Sequence, residues 1–416
     1  MIKKTLGGNS MPKIIFHIDV NSAFLSWTAL HKLKENNKLD IRTVPAIIGG
    51  DQSRRHGIVL AKSVPAKKYG IVTAEPIAQA IRKCPNLIIE APNHQLYDYY
   101  SKEMMKLLLT YTPDLEQISV DECFLDFTPI ANHYPSAKAA ALQIQNKIKE
   151  QLGFTVNIGI APNKLLAKMA SDFQKPDQIH TLFEDEIPLK MWPLPVGELY
   201  GVGKASASRL MALGIKTIGE LAHAEIGFLT SHFKSHGKHI HESANGLDES
   251  PVDSNKREVK GVGNSTTLSS DVTSFDAAAP ILLKLAESVG KRLRQKAQLA
   301  NAIAVEIKYN TFETSSHQMT LTASTNTTDV IYQCACTLFK ELWNQQPIRL
   351  LGIRTTKLEA ADTPVQLSIF DLTTATDKEA TSTPNHEKQK KLDIALDALR
   401  QKHGPNAVIR GSLLKK

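Results

Sequence analysis

The sequence predicts a multidomain α+β protein, and three observations point that way. The chain has 416 residues, of which 42% are hydrophobic. At roughly 150 residues per domain this length allows two to four domains. The apolar share supplies sizeable cores and excludes a disordered chain. The apolar period then changes along the chain, from a mixed unit to a small helical one and on to a β-α-β-β-α-β order. That last order predicts a split-βαβ sheet with its helices on one face.

Taken in order, residues 1–10 read as a leader outside the fold, with Met11 an alternative start. Residues 13–20, Lys-Ile-Ile-Phe-His-Ile-Asp-Val, are a mostly buried strand. A helix follows to about Leu33, with Asn21 or Ser22 as N-cap. Residues 44–75 form short strands and turns, punctuated by Gly49-Gly50, Gly57, Pro65 and Gly70. This stretch carries Arg54, Arg55, Lys62, Lys67 and Lys68 against only Asp51 and Glu75. Tyr97 to Tyr111 has a helical period, and residues 118–127 have a strand or hairpin pattern. A helix over 136–151, a strand over 154–160 and a helix over 162–173 complete the mixed unit.

The helical unit covers about 185–248, with Gly201-Val202-Gly203-Lys204, a helix to Leu213, Gly214 and a short helix from Thr217. The polar stretch from Asp248 to Lys260 reads as a linker. The third unit, about 259–360, places strands near 261–269, 301–309, 317–323 and 348–358 and helices near 276–298 and 328–345. Residues 371–390, rich in Thr, Ser, Asp and Lys, read as a flexible tether. Leu392, Leu396 and Leu399 have the spacing of a terminal helix over 391–403, stopped by Gly404-Pro405, which docks either on the chain itself or on a partner.

Lys and Arg number 50 against 42 for Asp and Glu, a net charge of +8 that makes a polyanionic partner a fair first expectation. No run approaches the ~18 apolar residues of a membrane span. Lys3 and Lys4 precede no apolar signal core, so the chain reads as cytoplasmic, without a membrane partner. Cys84, Cys123, Cys334 and Cys336 are scattered and read as reduced thiols rather than a zinc site. His232, His236, His239 and His241 share a helix face only if Gly237 does not break it, and no carboxylate pattern completes a metal site there.

Two acidic sites interrupt apolar strands: Asp19 at the end of the first, and Asp121-Glu122 inside the 118–127 hairpin. A carboxylate on a buried strand is costly unless paired or metal-bound. Two carboxylates ~4 Å apart repel by about 4 kcal/mol at an effective dielectric of about 20. A divalent cation removes that cost, and oxygen-only ligands favour Mg²⁺. Strand alternation puts Asp121 and Glu122 on opposite faces, so both reach one metal cluster only near a bend or strand end. The spacing equally allows Asp19 to cap the next helix and Glu122 to pair with a surface lysine.

Three motifs, in this order, resemble those of the Y-family DNA polymerases, the translesion enzymes of the DinB (polymerase IV) and UmuC type. They are Asp19-Val20-Asn21-Ser22-Ala23-Phe24, Ser119-Val120-Asp121-Glu122-Cys123-Phe124-Leu125-Asp126, and Gly159-Ile160-Ala161-Pro162-Asn163-Lys164-Leu165-Leu166-Ala167-Lys168. The resemblance covers about residues 11–370. It implies a right-hand polymerase with the palm at 11–30 and 94–182, fingers at 31–93, a helical thumb at 183–248, a linker at 249–258 and a βαββαβ little finger at 259–360. Residues 361–416 would hold a clamp-binding peptide, a tether and the terminal helix.

The resemblance also implies roles. Asp19, Asp121 and Glu122 match the catalytic metal carboxylates, with the Val20 carbonyl an added ligand and two Mg²⁺ ions per site. Phe24 matches the aromatic gate against the ribose 2′-hydroxyl. Lys175 matches the palm lysine that touches the triphosphate, and Lys67 stands where many relatives carry an Arg. The fingers pattern Thr-x-x-Tyr-x-x-Arg is replaced by Ala61, Val64 and Lys67, which leaves Lys62 or Ser63 to compensate. Gly201, Gly203 and Lys204 fit a helix-hairpin-helix turn that meets a DNA phosphate rather than a nucleotide loop, because Ala205 follows Lys204. Arg349 and Arg354, with Lys291, Arg292, Arg294, Lys296 and Lys357, fit a DNA-gripping sheet and its surroundings.

Gln366-Leu367-Ser368-Ile369-Phe370 resembles the bacterial sliding-clamp peptide, with Leu367 and Phe370 as pocket anchors. The partners implied are primer-template DNA, deoxynucleoside triphosphates and the clamp, for a monomer with no proofreading segment. Two rival readings are a non-catalytic, clamp-tethered DNA-binding protein and a UmuC-like subunit that needs an accessory protein.

Overall fold

The computed structural model describes residues 12–35, 38–50, 57–255, 258–361, 383–404 and 406–413. The expected leader, Arg54 and Arg55, the peptide Gln366–Phe370 and the first part of the tether lie outside the described residues. The chain divides into two compact units, one up to the linker and one from there on.

In the first unit the elements are β1 (Ile15–Val20), α1 (Ala23–Lys34), β2 (Ala46–Gly49), β3 (Val59–Lys62), α2 (Val64–Lys68), α3 (Ile77–Lys83), β4 (Ile88–Glu90), α4 (His94–Leu108), β5 (Leu115–Gln117) and β6 (Glu122–Asp126). They continue with α5 (Ala137–Leu152), β7 (Val156–Ala161), α6 (Lys164–Asp172), β8 (Ile179–Thr181), α7 (Ile187–Lys190), α8 (Lys204–Ala212), α9 (Ile218–Ala222), α10 (Ile226–Phe233) and α11 (Ser235–Ala244).

The main sheet has the order β5-β6-β1-β7-β8, so β1 lies at its centre between two antiparallel neighbours. Phe16 and Ile18 of β1 join Trp27, Tyr97, Met104, Ile144 and Ile148 in one core. A second core gathers Phe124, Leu166, Ala170 and the apolar side chains of the small helices. Helix α6 lies very close to β7: a Cβ on Gly159 would stand 2.0 Å from the Ala167 carbonyl oxygen. The segment between α1 and α4 builds a separate sheet, β3-β2-β4. Side-chain caps delimit several helices: Ser63, Ser136 and Asn163 accept backbone N–H bonds, and Thr217 with Glu220 closes a capping box.

Two local expectations are corrected. Ser22 does occupy the N-cap of α1, but with φ of 48° and no side-chain bond to the helix, so it caps by position only. Lys234, at φ 55°, separates α10 from α11, while Gly237 lies inside α11 at a close approach where a Cβ would meet the Leu229 carbonyl oxygen at 2.4 Å. The histidines are thereby split between two helices, and among the described residues no cluster of His, Cys, Asp or Glu is arranged for a metal. The four cysteines are free thiols.

In the second unit the elements are β9 (Gly261–Val272), α12 (Phe275–Gln295), β10 (Gln298–Tyr309), β11 (Thr314–Thr325), α13 (Thr328–Leu342), β12 (Ile348–Ala360) and α14 (Thr383–His403). The antiparallel sheet runs β11-β10-β12-β9, and Leu282, Leu285, Val289, Ile331 and Phe339 of the two long helices pack on Ile303, Val305, Leu351 and Ile353. This is the β-α-β-β-α-β arrangement the sequence predicts.

Helix α14 starts at Thr383, inside the segment expected to be tether, and it docks on its own unit through charge. Asp393, only 2% exposed, accepts from the Thr328 backbone N–H at 2.8 Å and from Arg410 at 2.8 Å, and sits 3.2 Å from Arg294. Arg294 also bonds Asp397, and Arg400 and Arg410 both reach Glu287. Arg294, expected near DNA, is therefore committed to holding α14. Leu392, Ile394 and Leu399 of the same helix are exposed. The polar face of α14 is the buried one, which leucine spacing alone does not reveal.

Candidate active site

The central position of β1 and its pairing with β6 gather the acidic residues. Asp19, at the end of β1, is the direct cross-strand partner of Glu122, the first residue of β6. Asp121 lies in the bend 119–121 just before β6, where the Val20 N–H bonds its carbonyl at 3.0 Å. The bend is the condition that lets both neighbours serve one site, since on a straight strand they point apart. Ser119 Oγ donates to Asp121 Oδ1 at 2.5 Å and holds that carboxylate in place.

Cations balance the acids. Lys175 bonds Asp19 and also sits 2.8 Å from Asp172. Lys168, on α6, reaches Glu122 at 2.6 Å. The buried His17 places Nε2 3.3 Å from the same Glu122 oxygen and Nδ1 2.8 Å from Ser171 Oγ. Burial lowers the pKa of His17. Ser171 Oγ in turn donates to the Lys168 carbonyl at 2.8 Å. His17 and Lys168 together hold the Glu122 carboxyl down at about 2. Asp121 is pushed the other way, by burial first and then by the charges of Asp19 and Glu122. The three carboxylates thus feel one another, as the sequence expects. Yet among the described residues no three acidic, His or Cys side chains close on one point. In this arrangement Glu122 follows the lysine-paired alternative, though its partner Lys168 is only 15% exposed.

Asp121 also lines a cleft of about 390 Å³. One wall is Val20 to Phe24, the other is Leu60 to Val64 with Lys67 and Thr73, and Lys175 and Pro176 complete it. Phe24 is half-buried and stacks on Tyr97 at 4.3 Å between centroids, which fixes its ring at the cleft wall. Lys67 is exposed. The all-oxygen donor set of Asp19, Asp121 and Glu122 with the Val20 carbonyl has the chemistry that suits a hard divalent cation. Sequence reading left Lys168 and His17 without a role. A signal was present: Lys168 falls within the run Leu165–Ala170 of an amphipathic helix whose other members are buried.

Gly201, at φ 92°, requires a glycine, and a Cβ on Gly201 or on Gly203 would meet nothing within 4 Å. Gly203 is the N-cap of α8 and Lys204 its first residue, and both are exposed. In the second unit Arg354 is exposed on β12 beside Gly263, Ser265 and Gly352, and Arg349 lies 4.8 Å from the ring of the exposed Phe312.

Comparisons with known proteins identify the family. The impB/mucB/samB family matches residues 18–172, its C-terminal domain residues 259–369, and the HHH motif of the same family residues 184–215. A DNA polymerase IV of Clostridium acetobutylicum is 47% identical over 98% of this chain and 99% of its own. DNA polymerase IV 1 of Bacillus subtilis is 37% identical over 97% of this chain and 94% of its own. A solved Y-family DNA polymerase chimera has a TM-score of 0.74, covering 83% of this chain and 99% of its own at 22% identity, a likeness of fold. With three family models matched in order and a relative 47% identical over 98% of its length, the chain belongs to the DinB-like, polymerase IV branch of the Y-family DNA polymerases.

Proposed function

We infer that the chain is a template-directed DNA polymerase of low fidelity, working in translesion synthesis without proofreading. The observation that carries the mechanism is Asp121 on the wall of a cleft that also presents Phe24, Lys67 and Lys175. Asp19, Asp121 and Glu122, with the Val20 carbonyl, would hold two Mg²⁺ ions. Bound there, the metal supplies Lewis acidity to a primer 3′-hydroxyl and neutralises charge on a triphosphate and its leaving pyrophosphate. Phe24, stacked on Tyr97, offers a flat wall beneath a deoxyribose, where a 2′-hydroxyl meets the ring. Lys67 and Lys175 are the cations that face a triphosphate in the same cleft.

In this reading residues 11–30 and 94–182 are palm, 31–93 fingers, 183–248 thumb, 249–258 linker and 259–360 little finger. Gly201, Gly203 and Lys204 meet a DNA phosphate, and Arg349 and Arg354 meet the duplex backbone. Gln366 to Phe370 is the clamp peptide, and the protein works as a cytoplasmic monomer. No helix among the described residues is long and apolar enough to cross a membrane.

The test is primer extension by the purified chain with Mg²⁺. Asp121→Asn keeps the shape of the side chain and removes its charge, so it abolishes extension while DNA binding stays largely intact. Near-normal turnover by Asp121→Asn overturns the metal assignment. A wild-type chain that extends primers only after an accessory protein is added favours the UmuC-like reading instead.

A further inference from the structure

The fingers wall of the cleft lacks the hydroxyls that its family pattern leads one to expect. Ala61 and Val64 carry none. Ser63, which the sequence offers as a substitute, is 1% exposed and fully occupied: its Oγ accepts from Ala46 N and Ala66 N and donates to Val44 O. What remains on that wall is ammonium. Lys62, the last residue of β3, lines the cleft together with Lys67 of α2 and Thr73.

Lys62 has no carboxylate partner among the described residues. Its one hydrogen bond is to Thr73 Oγ1, at 3.4 Å. The nearby acid, Glu75, is 7% exposed and is taken by Lys83 at 2.5 Å and by the Val72 N–H at 3.2 Å. Partial burial and the neighbouring Lys67 charge both lower the pKa of Lys62. Two ammonium groups on one wall of a half-closed cleft repel, and Glu75, already paired with Lys83, offsets the Lys62 charge only in part. A ligand with several adjacent negative charges relieves that repulsion at both positions.

We propose that Lys62 is a second fingers cation for the triphosphate chain of the incoming nucleotide, replacing with charge the hydroxyl contacts that Ala61 and Val64 cannot make. The proposal rests on the polymerase reading for its substrate, and its chemistry is phosphate recognition, independent of base and sugar. Lys62 and Lys67 hold the phosphates from one side and Lys175 lines the other, so Lys62 acts on nucleotide affinity more than on the chemical step.

The experiment compares Lys62→Ala and Lys62→Arg with wild type in steady-state primer extension, and adds inorganic tripolyphosphate as a competitive inhibitor. A charge-assisted contact of ordinary strength gives Lys62→Ala a dNTP KM raised about tenfold or more with kcat within about twofold. The tripolyphosphate inhibition constant rises in step, Lys62→Arg restores both, and the melting temperature is unchanged. An unchanged KM and inhibition constant in Lys62→Ala overturn the proposal. A lysine that only braces Thr73 gives the opposite split, with a lowered melting temperature and unaltered KM. If the wild-type chain extends no primer, the polymerase reading fails by itself. Calorimetric binding of tripolyphosphate to wild type and Lys62→Ala then decides the role of Lys62 alone.

Discussion

Gly159→Ala tests how tightly the fold sets the geometry of the acids. Gly159 is the middle of β7, and the Cβ of an alanine there would lie 2.0 Å from the Ala167 carbonyl oxygen and 2.6 Å from the Ser171 N–H nitrogen. Both are backbone atoms of α6, so no side-chain rotation relieves the clash. Ordinary contact begins near 3.4 Å, and the helix has to withdraw by about 1.4 Å. Helix α6 carries Lys168, 2.6 Å from Glu122, and Ser171, 2.8 Å from His17, and it leads into Lys175. A withdrawal of that size takes Lys168 out of hydrogen-bond range. Overpacking of this kind costs about 1–3 kcal/mol, which lowers the melting temperature by roughly 2–12 °C in a unit of this size. Displacing the groups that orient a catalytic acid by an ångström costs about a hundredfold in rate. Circular dichroism melting gives the first quantity, and primer extension at saturating dNTP, well below the variant's melting point, gives the second. A Gly159→Ala protein with unchanged melting and turnover would refute the claim that β7–α6 contact positions Glu122.

Phe24→Ala removes the flat wall stacked on Tyr97 and should raise ribonucleotide incorporation at least tenfold relative to deoxynucleotide, read by extension with matched NTP and dNTP; an unaltered ratio would leave Phe24 as core packing. Asp393→Ala strips the Thr328 N–H of its cap and Arg410 and Arg294 of a buried partner, while Asp397, Glu287 and Asp329 remain. A net loss of about 2–4 kcal/mol follows, visible as faster hydrogen exchange across α14 and the first turn of α13. Leu367→Ala with Phe370→Ala should spare extension on short oligonucleotides and remove stimulation by a loaded clamp on circular template at moderate salt, because tethering raises the effective concentration of DNA to about millimolar. Undiminished stimulation would move recruitment to another surface.

Much of the fold was legible because its signals are local. The apolar run of β1 and the strand-helix order of the second unit each depend on a few consecutive residues. The hairpin bend at 119–121 was legible only as a condition: the sequence required a bend if Asp121 and Glu122 were to act together, and the backbone supplies one. What escaped was long-range. The pairing of Lys168 with Glu122 spans 46 residues and that of Arg294 with Asp393 spans 99. No periodicity announces either. Helix α14 misled for a related reason: its leucines mark an amphipathic helix, but the face it buries is the charged one, because its partners Arg294 and Glu287 sit on α12. Hydrophobic spacing identifies which residues share a face and leaves open which face meets the protein.

The charge arrangement of the site explains how the chain tolerates its acids. Asp19 and Glu122 face each other across β1 and β6, with Asp121 beside them, and such a group would resist folding without counter-charge. The lysines that answer it, Lys168 and Lys175, come from α6 and the turn that follows it, not from the strands that carry the acids. Burial works against both ammonium groups, yet the bonds and charges of Glu122, Asp19 and Asp172 raise their pKa values above the ordinary lysine range. Both therefore stay charged at neutral pH and supply the counter-charge that Glu122 and Asp19 meet in the fold. Lys175 also lines the cleft with Lys62 and Lys67. One side chain thus touches the acidic cluster and the cationic wall. A substitution at Lys175 should disturb carboxylate placement and nucleotide affinity together, whereas one at Lys62 should disturb affinity alone.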